Sequence, residues 1–577
     1  MPPRRLVWAL VLATGPLTPA AGQGIPSPAP SGRPIVACTG QPINDIVIYA
    51  DAPTVASLSR FPRIAAVARA LHATTRTELI RRFLLLDRGD PCNELRRAES
   101  ERILRAQPFI AEADAFVVQN EGGGVDLEVR TSDEAAIVLG GSVRAAAPHV
   151  TSLLVGNANV GGEGVYISGS WRDGAGFRDG LGGRLIDHQF MGRPWTFALE
   201  GERASLGGTW RVEGAHPFLT DLQRVAWRVG VGRSNGYVEL LQSDGVRPNV
   251  AVQRGFFDVG GILRVGNPGR LNLFGFSVTG LEERARNRLT LPDSGVVADI
   301  GPVPSPYTPH HIVRANALLG VRDIVFERIE GLDALTAAQD VPIGFQVGTL
   351  VGRSLPLPRE REDEDVFLAG DLYVGASSGI SMSRLQLPGE GRRPIASRAW
   401  DGVIATGRLT HYLRFTPRHR NMVALEFSGA YRQRTPFQLL LGVPEGGVRG
   451  YEQSYFAGGQ RLVGRAEERY VLGSPFGAGE LGVASFVDVG RQWAGDVPFG
   501  TTTPVKASLG VSLLAAIPPK SARLWRADLA FPLSSGANAR WTLSFTNADR
   551  TAFVFRNARD VAGGREITVP SSIFAWP

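Results

Sequence analysis

From about residue 145 onward the chain is a succession of short segments in which apolar and polar residues alternate, parted by Gly, Pro, Asn and Asp. Val225, Trp227, Val229 and Val231 alternate with Ala226, Arg228 and Gly230, and Val423, Leu425 and Phe427 with Ala424, Glu426 and Ser428. Val505, Ala507, Leu509, Val511 and Leu513 alternate with Lys506, Ser508, Gly510 and Ser512. A period of two sends successive side chains to opposite faces of a strand, so each segment has one greasy and one polar face. Two architectures use such strands: a soluble sandwich, whose greasy faces meet in a core, and a membrane barrel, whose greasy faces meet lipid. The period by itself does not choose between them.

Three features favour the barrel. Residues 1–22 read as a signal peptide, with Arg4 and Arg5, the apolar stretch Leu6 to Ala13 and the small-residue site Ala20-Ala21-Gly22. The array is long, and Trp171, Trp195, Trp227, Trp493, Trp525 and Trp541 fall near strand ends or on greasy faces, as interfacial girdles require. No later run of about twenty apolar residues offers a membrane helix, while a mean hydropathy of -0.03 with 70 glycines suits alternating strands. An open sheet edge in lipid would leave amides unpaired, so the sheet must close. The expected fold is mainly β: a transmembrane antiparallel barrel over residues 145–549, with room for about 16 strands at roughly 25 residues per strand and connection. Its last part reads as a meander of Arg461 to Leu472, Leu481 to Trp493, Val505 to Leu514, Leu524 to Leu533 and Arg540 to Asn547. Leu291 to His311 and Leu355 to Asp365 read as loops. The net charge of +7 is spread along the chain without a stripe, which fits a hydrated lumen and not a nucleic-acid partner.

Residues 23–34, rich in Pro, Ser and Gly, read as a linker, and residues 35–132 as a small α/β domain. Ile43 to Tyr49 suits a strand. Thr75-Arg76-Thr77-Glu78 has capping-box spacing ahead of the helical face Leu79, Ile80, Phe83 and Leu84, with Phe61 to Ala73 as an added helical turn. Asn93 caps a second helix through Leu95, Ala98, Ile103 and Leu104. In the last strand Val125, Leu127 and Val129 face the helices while Asp126, Glu128 and Arg130 face water. Cys38 and Cys92 are the only cysteines, and export to an oxidising compartment favours a disulfide over two buried thiols. Such a bridge contributes up to about 4 kcal/mol on the chain-entropy model.

Two late segments carry the most specific signal: Val448-Arg449-Gly450-Tyr451, and Phe486-Val487-Asp488-Val489-Gly490. Together they resemble the barrel signature of the BamA/TamA superfamily of outer-membrane assembly factors and protein transporters. In that family the loop carrying VRGF or VRGY folds back into the lumen, and its arginine docks on an F-x-D-x-G strand. The order strand, helix, helix, strand, strand ahead of the barrel likewise resembles a polypeptide-transport-associated (POTRA) domain. The resemblance implies an outer-membrane protein with its N-terminal domain in the periplasm. Its partners would be membrane lipid, unfolded or extended polypeptide clients taken up by strand addition, and periplasmic accessory proteins. No cofactor, metal or catalysis is implied. Rivals are a two-partner-type secretion transporter, which usually carries a plug helix before two POTRA domains, and a passive porin or lipid-handling barrel. The chain departs from the family in having one POTRA-like domain and in residues 550–577, which are either a tail, tucked into the lumen, or a sign that the last strand is misassigned.

Strand parity turns the signature into a geometry. Phe486, Asp488 and Gly490 point opposite to Val483, Ser485, Val487 and Val489, hence into the lumen, and Glu467 shares the lumen parity of Arg461, Arg465 and Arg469. Gly446, Gly447 and Gly450 permit the tight loop that brings Arg449 to Asp488 and Glu467. A wet lumen would hold that pairing to about 1 to 3 kcal/mol. The alternative is an ordinary exposed loop arginine. Glu468 falls on the lipid-facing parity without an account. Gly375 to Gly379 matches a nucleophile elbow and Gly477 to Gly482 a dinucleotide fingerprint, but neither has the following helix those motifs need. Both read as turns, and His310 and His311 lack a third ligand at useful spacing.

Overall fold

The computed structural model describes residues 28–53, 73–144, 149–173, 179–204, 207–293, 296–356, 364–443, 446–451, 456–475, 477, 479–533, 541–548, 558–570 and 573. The signal-peptide segment 1–22 lies outside the described residues, as does nearly all of Phe61 to Ala73.

The N-terminal domain consists of β1 (Thr39–Asp51), α1 (Thr77–Arg81), β2 (Pro91–Asn93), α2 (Glu94–Ala106), β3 (Ile110–Gln119) and β4 (Val125–Asp133). The sheet order is β2-β1-β4-β3, with β1 parallel to β4 and β3 antiparallel to it. Ile43, Ile46, Leu79, Ile80, Phe83, Ile103, Leu104, Leu127 and Val129 form the core between sheet and helices. Cys38 and Cys92 are joined by a disulfide. Asn93 caps α2 by accepting from the Arg96 amide. Thr75 is not a cap: its hydroxyl and amide both donate to Asp133 at 2.7 Å, and α1 begins without a side-chain cap. A buried carboxylate at the end of β4 outcompetes a local first-turn amide for the threonine.

The polar face of β4 is not left to water. Arg33 donates to Asp126 at 2.6 Å and Glu128 at 2.7 Å, Ala29 packs on Phe116 and Val118, and the Val36 amide donates to the Val117 carbonyl. The described end of the expected linker is therefore part of this domain.

Beyond it, among the described residues, twenty antiparallel strands make a nearly closed barrel. The first is Ile137–Arg144, ahead of residue 145, and it neighbours the last, Thr542–Ala548. The expectation of about 16 strands fails because the connections at one end are tight. Asn267 pairs with Arg270, Ser378 with Ser381 and Thr416 with His419, and five strands fit within residues 137–204. Leu291 to His311 is not all loop: Arg288–Asp293 and Val296–Pro302 form an extra hairpin, while the wall itself continues from Arg270–Ala285 directly to His310–Glu330. Outward side chains are exposed and apolar, among them Phe274, Phe276, Leu319, Val423, Leu425, Val487, Leu509, Val511 and Leu513. Inward ones are buried and polar, among them Arg314, Asn316, Asp371, Asp488, Ser508 and Ser512. That is the inside-out distribution of a barrel set in lipid.

The N-terminal domain lies across the mouth where the short turns gather. Arg105 forks onto Asp340 at 2.9 and 2.7 Å, Arg102 donates to the Leu219 carbonyl, Glu134 accepts from Ser521 and the Ala522 amide, and Asn159 donates to the Thr75 hydroxyl. Thr75 and Asp133 thus sit at the joint between domain and barrel.

Burial, reinforced by Asp51 and Glu134, pushes the Asp133 carboxyl up to about 6 against the two Thr75 donors. A carboxyl whose folded pKa exceeds its unfolded value of about 3.9 binds its proton more tightly when folded. Its stabilising contribution is full below about pH 4 and is lost as pH rises through about 6. We expect the melting temperature of the wild-type N-terminal domain to fall across this window relative to Asp133→Asn, by an amount worth about 2 to 3 kcal/mol. Parallel pH profiles for the two proteins would refute the assignment.

Candidate functional site: a docked loop in a filled lumen

Between the strands His419–Tyr431 and Gln460–Gly473 the chain turns into the lumen from the end opposite the N-terminal domain. Leu439–Leu440 pairs with Ala457–Gly458, and Leu441, Val448, Tyr451 and Val463 make a small apolar cluster that fixes the loop's base. Gly450 has φ +89°, a left-handed conformation that a side chain resists. Gly490 faces Val448, whose methyl would collide with any Cβ there. The Tyr451 hydroxyl donates to the Ala507 carbonyl at 3.1 Å.

These contacts deliver Arg449 to the wall. Its guanidinium donates to both Asp488 oxygens at 2.7 Å and to Glu467 at 3.2 Å, and its backbone amide adds a bond to Asp488 at 3.1 Å. The Phe486 ring lies 3.4 Å beneath it, a cation–π stack, and that ring covers Gly510, where a Cβ would strike it. Val448, Arg449, Gly450 and Tyr451 therefore meet Phe486, Asp488, Gly490 and Glu467 in one constellation.

The constellation is larger than sequence parity suggested. Arg526 forks onto Glu467 at 2.9 and 2.6 Å and bonds Asp528 at 2.6 Å, and Arg469 donates to Glu467 at 2.6 Å. Three arginines thus face Glu467, Asp488 and Asp528. Arg526 and Asp528 were missed, although their common parity on Leu524–Pro532 was the available signal. Nor is the site wet: Asp488 is fully buried and Glu467 is 4% exposed. Removing one partner here strands a buried charge, which costs about 3 to 5 kcal/mol, more than a hydrated pair would.

Two further segments of the chain enter the lumen. From the domain side, the turn 331–337 enters: Leu335 packs on Val471, Ala484 and Leu514, Arg469 donates to the Leu332 carbonyl at 3.1 Å, and Arg420 donates to that of Leu335. The C-terminal segment enters too. Its short helix α3 (Arg559–Gly564) sets Asp560 against Arg461 and the Leu440 amide, and Val561 on Phe437, Leu439 and Val443. Glu566 pairs with Arg314, Arg565 with Glu390 at 2.8 Å, and Val569 and Ile573 sit among Ile262, Leu271 and Leu318. The described residues 558–570 and 573 of the segment 550–577 lie against inward-facing wall side chains.

The remaining motif residues have structural places. Gly375 to Ser378 end a strand at a tight hairpin, and Gly477 and Gly479 precede Glu480–Trp493. His310 is buried against Arg392. Glu468 pairs with His419 at 2.6 Å near the short-turn end.

No protein-family model matches the chain, and no curated protein does. Among solved structures it is similar to CdiB from Acinetobacter baumannii, with 11% identity and a TM-score of 0.40 over 88% of this chain and 74% of that one. It is similar to CdiB from Escherichia coli at 10% and 0.37, over 93% and 92%. For BamA from Haemophilus ducreyi lacking POTRA domains 1–3 the values are 12% and 0.33, over 88% and 84%. Likenesses this weak assign the chain to no family.

Arg449→Ala is expected to destabilise the docked loop by about 3 to 5 kcal/mol, because Asp488 loses its fork. The heat-modifiable gel shift should then occur at lower temperature, and protease should cut within 441–459. Arg449→Lys keeps the charge without the fork and should fall between. Wild-type behaviour of the alanine variant would remove the loop's dependence on this residue.

Proposed function

We propose that this chain is an outer-membrane protein that inserts polypeptides into the membrane or passes them across it, with its N-terminal domain in the periplasm receiving the client. The observation that carries the proposal is the Arg449 loop docked on the Asp488 wall, inside a lipid-facing barrel whose mouth is covered by an α/β domain. The combination matches what resemblance to the BamA/TamA superfamily implies, and it calls for no cofactor and no chemistry. A passive porin is disfavoured, since loop, turn and tail occupy the lumen among the described residues. Within the proposal, passage through the lumen, as in a two-partner-type transporter, is favoured over lateral release alone by the presence of a tail to plug that path. Opening between Ile137–Arg144 and Thr542–Ala548, the short closing pair, remains the route for insertion.

Client capture by strand addition would use β3, the sheet edge. Its outward carbonyls are already taken: Ala113 by Arg105 at 3.1 Å, Ala115 by Arg97 at 2.6 Å and Val117 by the Val36 amide at 2.9 Å. The Gln119 amide returns a bond to the Pro34 carbonyl, so Pro34 to Val36 lie along this edge as an isolated antiparallel bridge centred on Ile35 and Val118. A client takes this edge by displacing them.

The test is photocrosslinking in cells from a photoreactive residue at Gln119. Adducts with exported, unfolded polypeptides are expected, and Val36→Pro, which removes the competing amide, should raise their yield severalfold. Recovery of no polypeptide from either protein would sink the proposal.

A further inference from the structure

The tail is held in a way that a permanent core segment is not. Among the described residues of the tail, Ala558, Val561, Val569 and Ile573 are the buried apolar ones. The rest of the grip is polar and falls on features that many polypeptides share. Arg254 donates to the Gly563 carbonyl at 3.0 Å, Arg228 to the Thr568 carbonyl at 3.2 Å, and Glu390 accepts from the Glu566 amide at 2.6 Å. Three side-chain pairs add a pattern of charge: Arg461 with Asp560, Glu390 with Arg565, and Arg314 with Glu566.

The wall groups are set from behind, independently of the tail. Arg314 forks onto Asp365 at 2.9 and 2.8 Å, Arg228 pairs with Asp258, and Arg254 with Glu283 at 3.0 Å. Withdrawal of the tail would thus leave a formed site, with Arg461 lacking its carboxylate and Glu390 its cation. The fit is also imperfect. One Arg565 nitrogen is buried without a hydrogen-bond partner among the described residues, and a small cavity of mixed lining, with Leu281 and Phe367 beside Glu283, Arg392, Arg434 and Thr435, flanks Gly564 to Glu566.

We propose that residues 558–570 are a cis-bound ligand of a polypeptide-binding lumen. They occupy a site that a client segment of the same class, an acid followed five and six residues later by a base and an acid, takes in their place. The tail is then both plug and stand-in: it seals the barrel at rest and yields to a chain that repeats its contacts. The inference deepens the proposed function and rests on it.

The test uses the full-length protein in planar bilayers. Asp560→Asn with Glu566→Gln alters the tail and leaves the wall intact. Wild type should conduct little, and the double variant should populate an open pore, its open fraction rising roughly tenfold or more for each pair weakened. A synthetic peptide of residues 558–573 should close that pore saturably, while the same peptide with Asn and Gln at the two acids should not. The charge swap Arg461→Asp with Asp560→Arg should stay closed, which separates loss of the pair from misfolding. A double variant that conducts like wild type, or equal block by the acid-free peptide, would overturn the proposal. Opening and reclosure without any crosslinked client would retire the transport reading and keep the peptide site. Crosslinked clients with a double variant that stays shut would do the reverse.

Discussion

A buried set of three arginines and three carboxylates holds this barrel in the form described. Glu467 is its hub, taking bonds from Arg449, Arg469 and Arg526. Each arginine belongs to a different part of the machine: Arg449 to the loop from one mouth, Arg526 to the strand beside the closing pair, and Arg469 to the wall that also grips the turn 331–337 from the other mouth. Ion pairs of this kind contribute little net stability against well-packed hydrophobic groups, but breaking one is costly. Their value is therefore in fixing arrangement: the loop has one seat, and leaving it exposes uncompensated charge.

A barrel in lipid has no hydrophobic core of the ordinary kind, because its apolar faces are turned outward. What fills the inside must be held by hydrogen bonds and charge pairs to polar walls, with only small apolar patches such as those around Leu335 and Val569. The interior segments differ in what each leaves behind: the loop leaves Asp488 without its fork if it departs, whereas Arg314, Arg228 and Arg254 on the tail's wall keep their own carboxylates without the tail.

Much of the fold was legible because strand period is a local property. The alternation at Val483 to Gly490 coincides with a buried Asp488 and an exposed Val487, and the last five strands lie within about two residues of their sequence bounds. What failed was what depends on contacts distant in sequence. Thr75 has capping-box spacing, yet Asp133, far along the chain, takes its hydroxyl. Asp126 and Glu128 look solvent-facing in an alternating strand, but Arg33 covers them. Strand number follows from turn length, and an allowance of about 25 residues per strand and connection overlooks turns as tight as Asn267 to Arg270, although Pro268-Gly269 marks that one. The Arg449 partner was legible only because a specific pair of motifs supplied it, whereas Arg526 and Asp528 carried parity without a motif.

Under the proposed function, two segments of the chain occupy positions that a client polypeptide would take. Pro34 to Val36 complete the β3 edge, and residues 558–570 line the lumen. Both are tethered, and a tethered ligand competes at an effective concentration of order millimolar when its linker suits the span. A free client at ordinary concentration cannot match that by making the same bonds. It can do so once it is itself tethered: capture on the β3 edge holds a client at the same mouth that the N-terminal domain covers, raising its local concentration there to a comparable level. Displacement at the edge and displacement in the lumen are then coupled by geometry, the first supplying the concentration that the second requires. On that proposal, a chain that binds only the lumen, without the edge, competes with the tethered tail at a disadvantage.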